Sequence, residues 1–154
     1  MLYSDMGFVY RQAIIMELEK RWDYLVAQNS GDNRWSVWKE QTIADNQSGQ
    51  AQTFLVFADN EIVGEVTLRF KNNELNGLRV NKEYEGQGVA SGLVKFVENW
   101  ATGQGISHLI IGVEPCEVRN MQIYFKWGYT DFVSTGLDNG DLVLYYRKQL
   151  GGAV

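Results

Sequence analysis

The stretch Val80-Asn-Lys-Glu-Tyr-Glu-Gly86-Gln-Gly88-Val-Ala90-Ser-Gly92 is where this sequence could do chemistry, because two glycines one residue apart stand between a strand-like run and an amphipathic helix. Glycine leaves no side chain between backbone and ligand, and the first amides of a helix have no partners within it. Together with the positive end of the helix dipole, such amides make an anion site suited to phosphate. A nucleoside-triphosphate loop would continue Gly-Lys-Ser/Thr, and Gly88-Val-Ala-Ser has no lysine. A dinucleotide loop has the right element order, with Glu114 at the end of the next strand as a ribose partner. Against it, position 91 is Ser where a third glycine belongs, and Asn81-Lys-Glu-Tyr-Glu85 separates the strand from Gly86.

The elements around the loop follow from periodicity. Val89, Leu93, Phe96, Val97 and Trp100 recur at helical steps, and Gly103 and Gly105 end that helix. Before the loop, Thr53–Phe57 and Ile62–Phe70 flank the short turn Ala58-Asp-Asn-Glu61, a hairpin pattern, and Glu74–Val80 adds a third antiparallel strand. After it, Ser107–Glu114 reads as a buried strand, parallel to its predecessor through a right-handed crossover. A helix over Glu117–Trp127 ends at Gly128, and strands at Tyr129–Ser134 and Leu142–Arg147 are joined across Gly136–Gly140. The first third is helical: Ile14, Leu18, Trp22, Leu25 and Val26 share a face, Gln28–Asn33 breaks it, and a second helix runs from Ser36 to Ala44 before a polar loop at Asp45–Gln50. The expectation is one α/β domain of the α+β type over residues 1–154, its mixed sheet antiparallel at first with a central parallel β-α-β unit.

Composition narrows the function. At 154 residues, 45% hydrophobic, the chain can bury a core without staples. One cysteine, Cys116, and one histidine, His108, leave no internal disulfide and poor metal options, so no metal site is expected. A net charge of −5 without a basic cluster argues against nucleic acid and mildly favours a cationic partner. With no stretch of about 18 apolar residues and no signal-peptide pattern, no membrane association is expected and the cytoplasm is the expected location.

Leu78-Arg-Val80 followed by Glu85-Gly-Gln-Gly-Val-Ala90 resembles the acetyl-CoA motif of the Gcn5-related N-acetyltransferase (GNAT) superfamily, Arg/Gln-x-x-Gly-x-Gly/Ala at a helix start. Asn120-Met-Gln-Ile-Tyr124-Phe-Lys-Trp-Gly128-Tyr129 is similar to that family's second motif, and the motif-bearing portion covers Ile62–Tyr129. The resemblance implies an acyltransferase that uses acetyl-CoA as cosubstrate and acetylates a primary amine directly, without a covalent enzyme intermediate. It implies that the Gly86–Gly88 loop and the amides of Gln87, Gly88, Val89, Ala90 and Ser91 hold the pyrophosphate. The main chain of Leu78, Arg79 and Val80 would pair with the pantetheine arm, Asn120 would stand by the cofactor, and Tyr124 would protonate the departing thiolate. Departures from the pattern are Glu85 for the opening Arg or Gln, Glu117 for a frequent Asn, and Asn120 for the usual Ala. The family's opening strand is hard to see in Met1–Val9, so it is expected to be short or missing.

Amine acetylation also needs a proton acceptor. Glu114, at a strand end bordering the cleft, is the first choice, with Glu65 and Glu74 behind it. Cys116 has no histidine placed to activate it and reads as passive. Trp35 and Trp38, beside Arg34, could line an acceptor pocket. The acceptor stays open between a cationic, aminoglycoside-like small molecule, a metabolite amine and a peptide amine; a homodimer through the C-terminal strands is a family-based expectation. The rival from another class is a catalytically silent acyl-CoA-binding module that acts through a partner.

Overall fold

A computed structural model describes residues 3–5, as backbone only, and residues 7–151. The elements in chain order are β1 (Tyr3–Asp5), β2 (Phe8–Gln12), α1 (Ile15–Gln28), α2 (Arg34–Ser48), β3 (Ala51–Ala58), β4 (Glu61–Arg69), β5 (Glu74–Val80), a 3-10 turn at Lys82–Tyr84, α3 (Val89–Gly103), β6 (His108–Val113), α4 (Val118–Lys126), β7 (Asp131–Asp138) and β8 (Asp141–Gln149). The strands form one sheet in the order β1-β2-β3-β4-β5-β6-β8-β7. Every neighbouring pair is antiparallel except β5–β6, joined through the α3 crossover, so the expected mixed α/β architecture is present.

Two hairpin turns explain the tight antiparallel pairs. Asp59 and Asn60 have φ of 50° and 67°, and Asn139 and Gly140 have φ of 51° and 85°. Both positions positive is the type I′ pattern, whose twist matches that of paired strands and which Asn, Asp and Gly tolerate best. The second turn corrects the sequence reading: Gly136–Asp138 belong to β7 and not to the connection, which is Asn139-Gly140 alone.

The opening strands, expected to be short or missing in Met1–Val9, are present and short, three residues in β1 and five in β2. Phe8–Gln12 pairs along its full length with β3, burying Phe8 and Tyr10 on one face. Its five residues make too short an alternation to stand out ahead of the helical pattern of α1; Met1, Leu2 and Met6 lie outside the described residues. Helix α2 runs on to Ser48 and stops at Gly49 in the left-handed region, so most of the expected polar loop is helix. Ile14 also departs from its expected face: it precedes α1 and is exposed, while Leu18, Trp22 and Leu25 are buried.

The two sheet faces differ. One packs on α3, whose Val89, Leu93, Val94, Val97 and Ala101 are buried against Phe54, Val56, Val66, Leu75 and Ile111. Burying each large apolar side chain there contributes about 1.5–3 kcal/mol, enough to fix where α3 begins and thus where the glycine loop lies. The opposite face of β3–β5 lies under α1 and α2 and carries a polar layer. Thr53 and Thr67 hydroxyls meet at 2.7 Å, Arg69 pairs with Asp45, and Glu65 pairs with Arg21.

The sheet opens between β5 and β6. Only Glu74↔Ile110 and Leu75↔Ile111 are paired; beyond them β5 continues with β4, and β6 continues with β8 as far as Val113↔Leu144. The cause is local. Between the pairs Thr67↔Asn76 and Glu65↔Arg79, β5 has one more residue than β4, and Gly77 takes φ of +66°. Such a bulge bends and twists its strand, here turning Asn76–Val80 away from β6 and leaving that backbone edge without a ladder partner.

Candidate active site

The open wedge between β5 and β6 holds a cavity of about 310 Å³, walled by Asn76, Gly77 and Leu78 on one side and Gly112, Val113 and Glu114 on the other. Helix α4 closes one end, with Tyr124 in the wall. Tyr124 is there because α4 starts directly after β6 and its aromatic ring packs on Trp127, ring centroids 5.7 Å apart. Burial, aided by the Glu117 carboxylate, raises the Tyr124 phenol above its ordinary value. A phenol so placed stays protonated through the neutral range and can donate a proton to a group of developing negative charge.

Glu114 sits half-buried at the end of β6, facing the same cavity. Partial burial first, then the carboxylates of Asp141, Glu117 and Asp138, raise its carboxyl above the ordinary range. That brings a carboxylate nearer to the basicity proton abstraction needs. Glu117 does not project freely beside it. One oxygen accepts the Glu114 backbone N–H at 2.9 Å and the other accepts Asn120 Nδ2–H at 3.0 Å. The carboxylate therefore pins the turn that carries Glu114 into α4, and Asn120 is spent on holding it.

The glycine loop leads directly out of the open edge of β5. Gly86 and Gly88 have φ of 78° and 77°, a conformation L side chains resist, and nothing lies within 4 Å of a Cβ built on either. Gly92 N–H donates to the Gly88 carbonyl, which fixes the first turn of α3 and leaves the amides of Val89, Ala90 and Ser91 without an intrahelical acceptor. The loop is exposed, as an approach to a large anion requires. Glu85 is exposed as well, its backbone N–H bound to the Lys82 carbonyl.

Two of the expected bases separate clearly. Glu65 is 1% exposed and clamped by Arg21 Nε at 2.6 Å and Arg79 Nη1 at 2.8 Å, so it is a buried structural anion and not a base in the cleft. Glu74 does reach the cavity wall, where burial raises its carboxyl. Arg79 offers the cleft only its main chain, since its side chain crosses to the other face of the sheet toward Glu65. Arg34 and Trp38 line the cavity, whereas Trp35 packs between Trp22 and Trp38. Cys116 is exposed and His108 contacts Ser107 at 3.2 Å, both outside the cavity wall.

Sequence reasoning missed the contribution of the C-terminal hairpin. Asp138, Asn139, Asp141 and Tyr145 complete the cavity wall because β8 pairs with β6 and swings the β7–β8 turn across the wedge. The Asp-Asn-Gly-Asp run was a legible hairpin signal, but nothing local says which cleft a turn will reach. No group of three or more His, Cys, Asp or Glu among the described residues could hold a metal ion, and no helix among them is long and apolar enough to cross a membrane.

A bulged strand, an open parallel pair and a glycine loop at a helix start give a split sheet beside an anion-binding helix N-terminus, and comparison with known proteins says which class of protein this is. Residues 15–129 match the model of the acetyltransferase (GNAT) family, and the chain belongs to that family of acyltransferases. Human N-acetyltransferase 8B is 34% identical over 67 residues, which is 44% of this chain and 30% of that protein, so the match spans under a third of its length. Among solved structures, the ribosomal L7/L12 alpha-N-protein acetyltransferase RimL in complex with coenzyme A superimposes with a TM-score of 0.75 at 16% identity, over 99% of this chain and 100% of that one. The PaiA N-acetyltransferase of Thermoplasma acidophilum, also in complex with coenzyme A, gives 0.65 at 21% identity over 94% and 99%. At these identities the structural likeness concerns the fold.

Proposed function

We propose that residues 1–154 act as one domain, an acetyl-CoA-dependent N-acetyltransferase that transfers acetyl directly to a primary amine. The observation that carries this reading is the β5–β6 wedge, in which an unpaired strand edge, a protonated phenol and a carboxylate of raised basicity meet around one cavity, while the same strand leads on to the free amides at the start of α3. The residues fit the cosubstrate: Gly86 and Gly88 leave open space, the amides of Gln87 to Ser91 suit a pyrophosphate, and Leu78, Arg79 and Val80 offer main chain for strand-like pairing. Asn120 contributes by fixing Glu117 and the α4 start, with a second amide N–H and its carbonyl oxygen left to stand by the cosubstrate.

Acetyl-CoA supplies the activated acyl group. Glu114 takes a proton from the ammonium form of the acceptor, giving the neutral amine that attacks the thioester carbonyl. As the carbon–sulfur bond breaks, Tyr124 gives its proton to the thiolate and is reprotonated from solvent or from the product nitrogen. Holding both reactants in one wedge supplies the orientation that replaces a covalent step. The acceptor is an amine of a small molecule or a peptide, the chain works in the cytoplasm, and a homodimer forms through β7 and β8. Exposed Phe132, Leu137 and Leu142 support that last point.

The test is Tyr124→Phe, assayed by CoA release and by calorimetric acetyl-CoA binding. Loss of a general acid lowers kcat by roughly a hundredfold or more, with the Kd for acetyl-CoA within about threefold of wild type. Unchanged turnover removes Tyr124 from the mechanism.

A further inference from the structure

A second cavity, of about 360 Å³, lies under the α1–α2 pair and shares Trp38, Asn76, Gly77 and Asp138 with the wedge. We infer that this cavity is an anion subsite that binds the carboxylate of a small amino acid, whose amine is the group acetylated in the wedge. The fate of the amine rests on the acetyltransferase reading; the subsite does not.

Two independent observations carry it. The first is an uncompensated charge: Arg21 and Arg79, two guanidiniums, share the single carboxylate of Glu65. The neighbouring cation, Arg69, is already neutralised by Asp45. Arg21 is 2% exposed and bound through Nε to Glu65 and Nη1 to the Ile62 carbonyl, so the surplus is presented by Arg79, whose side chain is 30% exposed and lines the cavity. Arg79 uses only Nη1, to Glu65 and to the Gly77 carbonyl, which leaves Nη2 and Nε without acceptors among the described residues. Its guanidinium is steadied over the rings of Trp35 and Trp22, 4.9 Å and 5.5 Å from their centroids.

The second is an orphan donor. Trp22 lines the same cavity, is 3% exposed, and its indole Nε1–H is buried with no hydrogen-bond partner. An indole nitrogen can only donate, and a buried donor left unpaired is costly, so a ligand oxygen is what this position lacks. The Arg79 guanidinium borders the cavity and the unpaired indole donor is buried in its wall, a pair of donors that matches a carboxylate.

The cleft is thereby polarised. Glu74, Glu114 and Asp141 line the wedge and not the second cavity, Asp138 stands on the wall the two cavities share without an ion pair to Arg79, and the free donors lie under the helices. An ammonium group suits the first end and a carboxylate the second. A polyamine, the acceptor that the acidic balance of the sequence suggested, would bring a cation against Arg79 and leave Trp22 unsatisfied.

The experiment titrates the full chain with ω-amino acids from glycine to 6-aminohexanoate, each against the alkylamine lacking its carboxylate. Binding is read by tryptophan fluorescence without acetyl-CoA, and turnover by CoA release. At least one amino acid is expected to bind about ten- to hundredfold more tightly than its amine, the worth of a charge-assisted contact. Trp22→Phe, which keeps the ring, and Arg79→Met, which leaves one guanidinium for one carboxylate, each bring that ratio toward one. Equal binding of amino acids and amines throughout the panel overturns the subsite, as does a preference that survives Trp22→Phe and Arg79→Met unchanged. If Arg79→Met does not fold, the wild-type ratio and Trp22→Phe decide. Preferential binding without CoA release upholds the subsite and sinks the transferase reading, whereas CoA release without any preference sinks the subsite alone.

Discussion

Replacing Glu65 by Gln removes one charge and almost no volume, so its effect isolates the electrostatics beneath the helix pair. In the native chain the carboxylate accepts from Arg21 at 2.6 Å and from Arg79 at 2.8 Å while itself 1% exposed. The amide keeps one acceptor oxygen but turns an NH2 group toward a guanidinium, and leaves Arg21, 2% exposed, as a buried cation without a counter-charge. Removing one partner of a buried pair costs roughly 3–5 kcal/mol, and the retained oxygen places this case near the lower end, about 3 kcal/mol. For a domain of this size that lowers Tm by roughly 6–12 °C. Arg79→Met is the internal comparison: it leaves a one-to-one Arg21–Glu65 pair and a partly exposed partner lost, about 1 kcal/mol or less. Scanning calorimetry measures both. The reasoning fails if Glu65→Gln shifts Tm by less than Arg79→Met does. It fails differently if Glu65→Gln leaves Tm unchanged and abolishes turnover, since Glu65 would then be a base after all.

Three further outcomes follow from the geometry. A Cβ on Gly92 would lie 2.2 Å from the Tyr10 hydroxyl and 2.7 Å from its ring carbon, so Gly92→Ala should destabilise by about 1–3 kcal/mol. Adding Tyr10→Phe should make the double variant cost less than the sum of the singles in chemical denaturation; strict additivity would exclude the clash. Asp141 is the foremost of the carboxylates that raise Glu114, so Asp141→Asn should move the acidic limb of the kcat/KM profile to lower pH; a limb that stays put separates Glu114 from that limb. Glu74 has a raised carboxyl in the folded chain, chiefly through burial, so the folded state holds its proton more tightly than the unfolded chain does. Stability from this group is present below the unfolded value and lost as pH rises through the folded one. Glu74→Gln should therefore gain in Tm over wild type at pH 8 relative to pH 4, and a gain confined to pH 4 would reverse the sign.

The local features were legible because their causes are local. The glycine loop, the α3 stripe of Val89, Leu93 and Val97, the limits of β5 and the Asp59-Asn60 turn follow from the left-handed freedom of particular residues and from the period of apolar side chains. The antiparallel strands ahead of the loop and the parallel pair after it follow from short and long connections, which leave few arrangements. The strand Phe8–Gln12 escaped because five alternating residues carry little signal until a neighbour pairs with them. Asp138 and Asp141 escaped because a turn's chemistry does not encode its destination; the β6–β8 register does. Glu65 shows the difference most plainly. In sequence it is one carboxylate among several candidate bases, and only the packing of α1 across β4 and β5 surrounds it with two guanidiniums and removes it from solvent. The sequence by itself determined the elements and the phosphate-type loop, since those depend on neighbours along the chain. Which acids face the wedge, which is buried, and where an unpaired positive charge and an orphan indole donor lie were decided by tertiary structure, because burial and charge pairing arise only between segments the fold brings together.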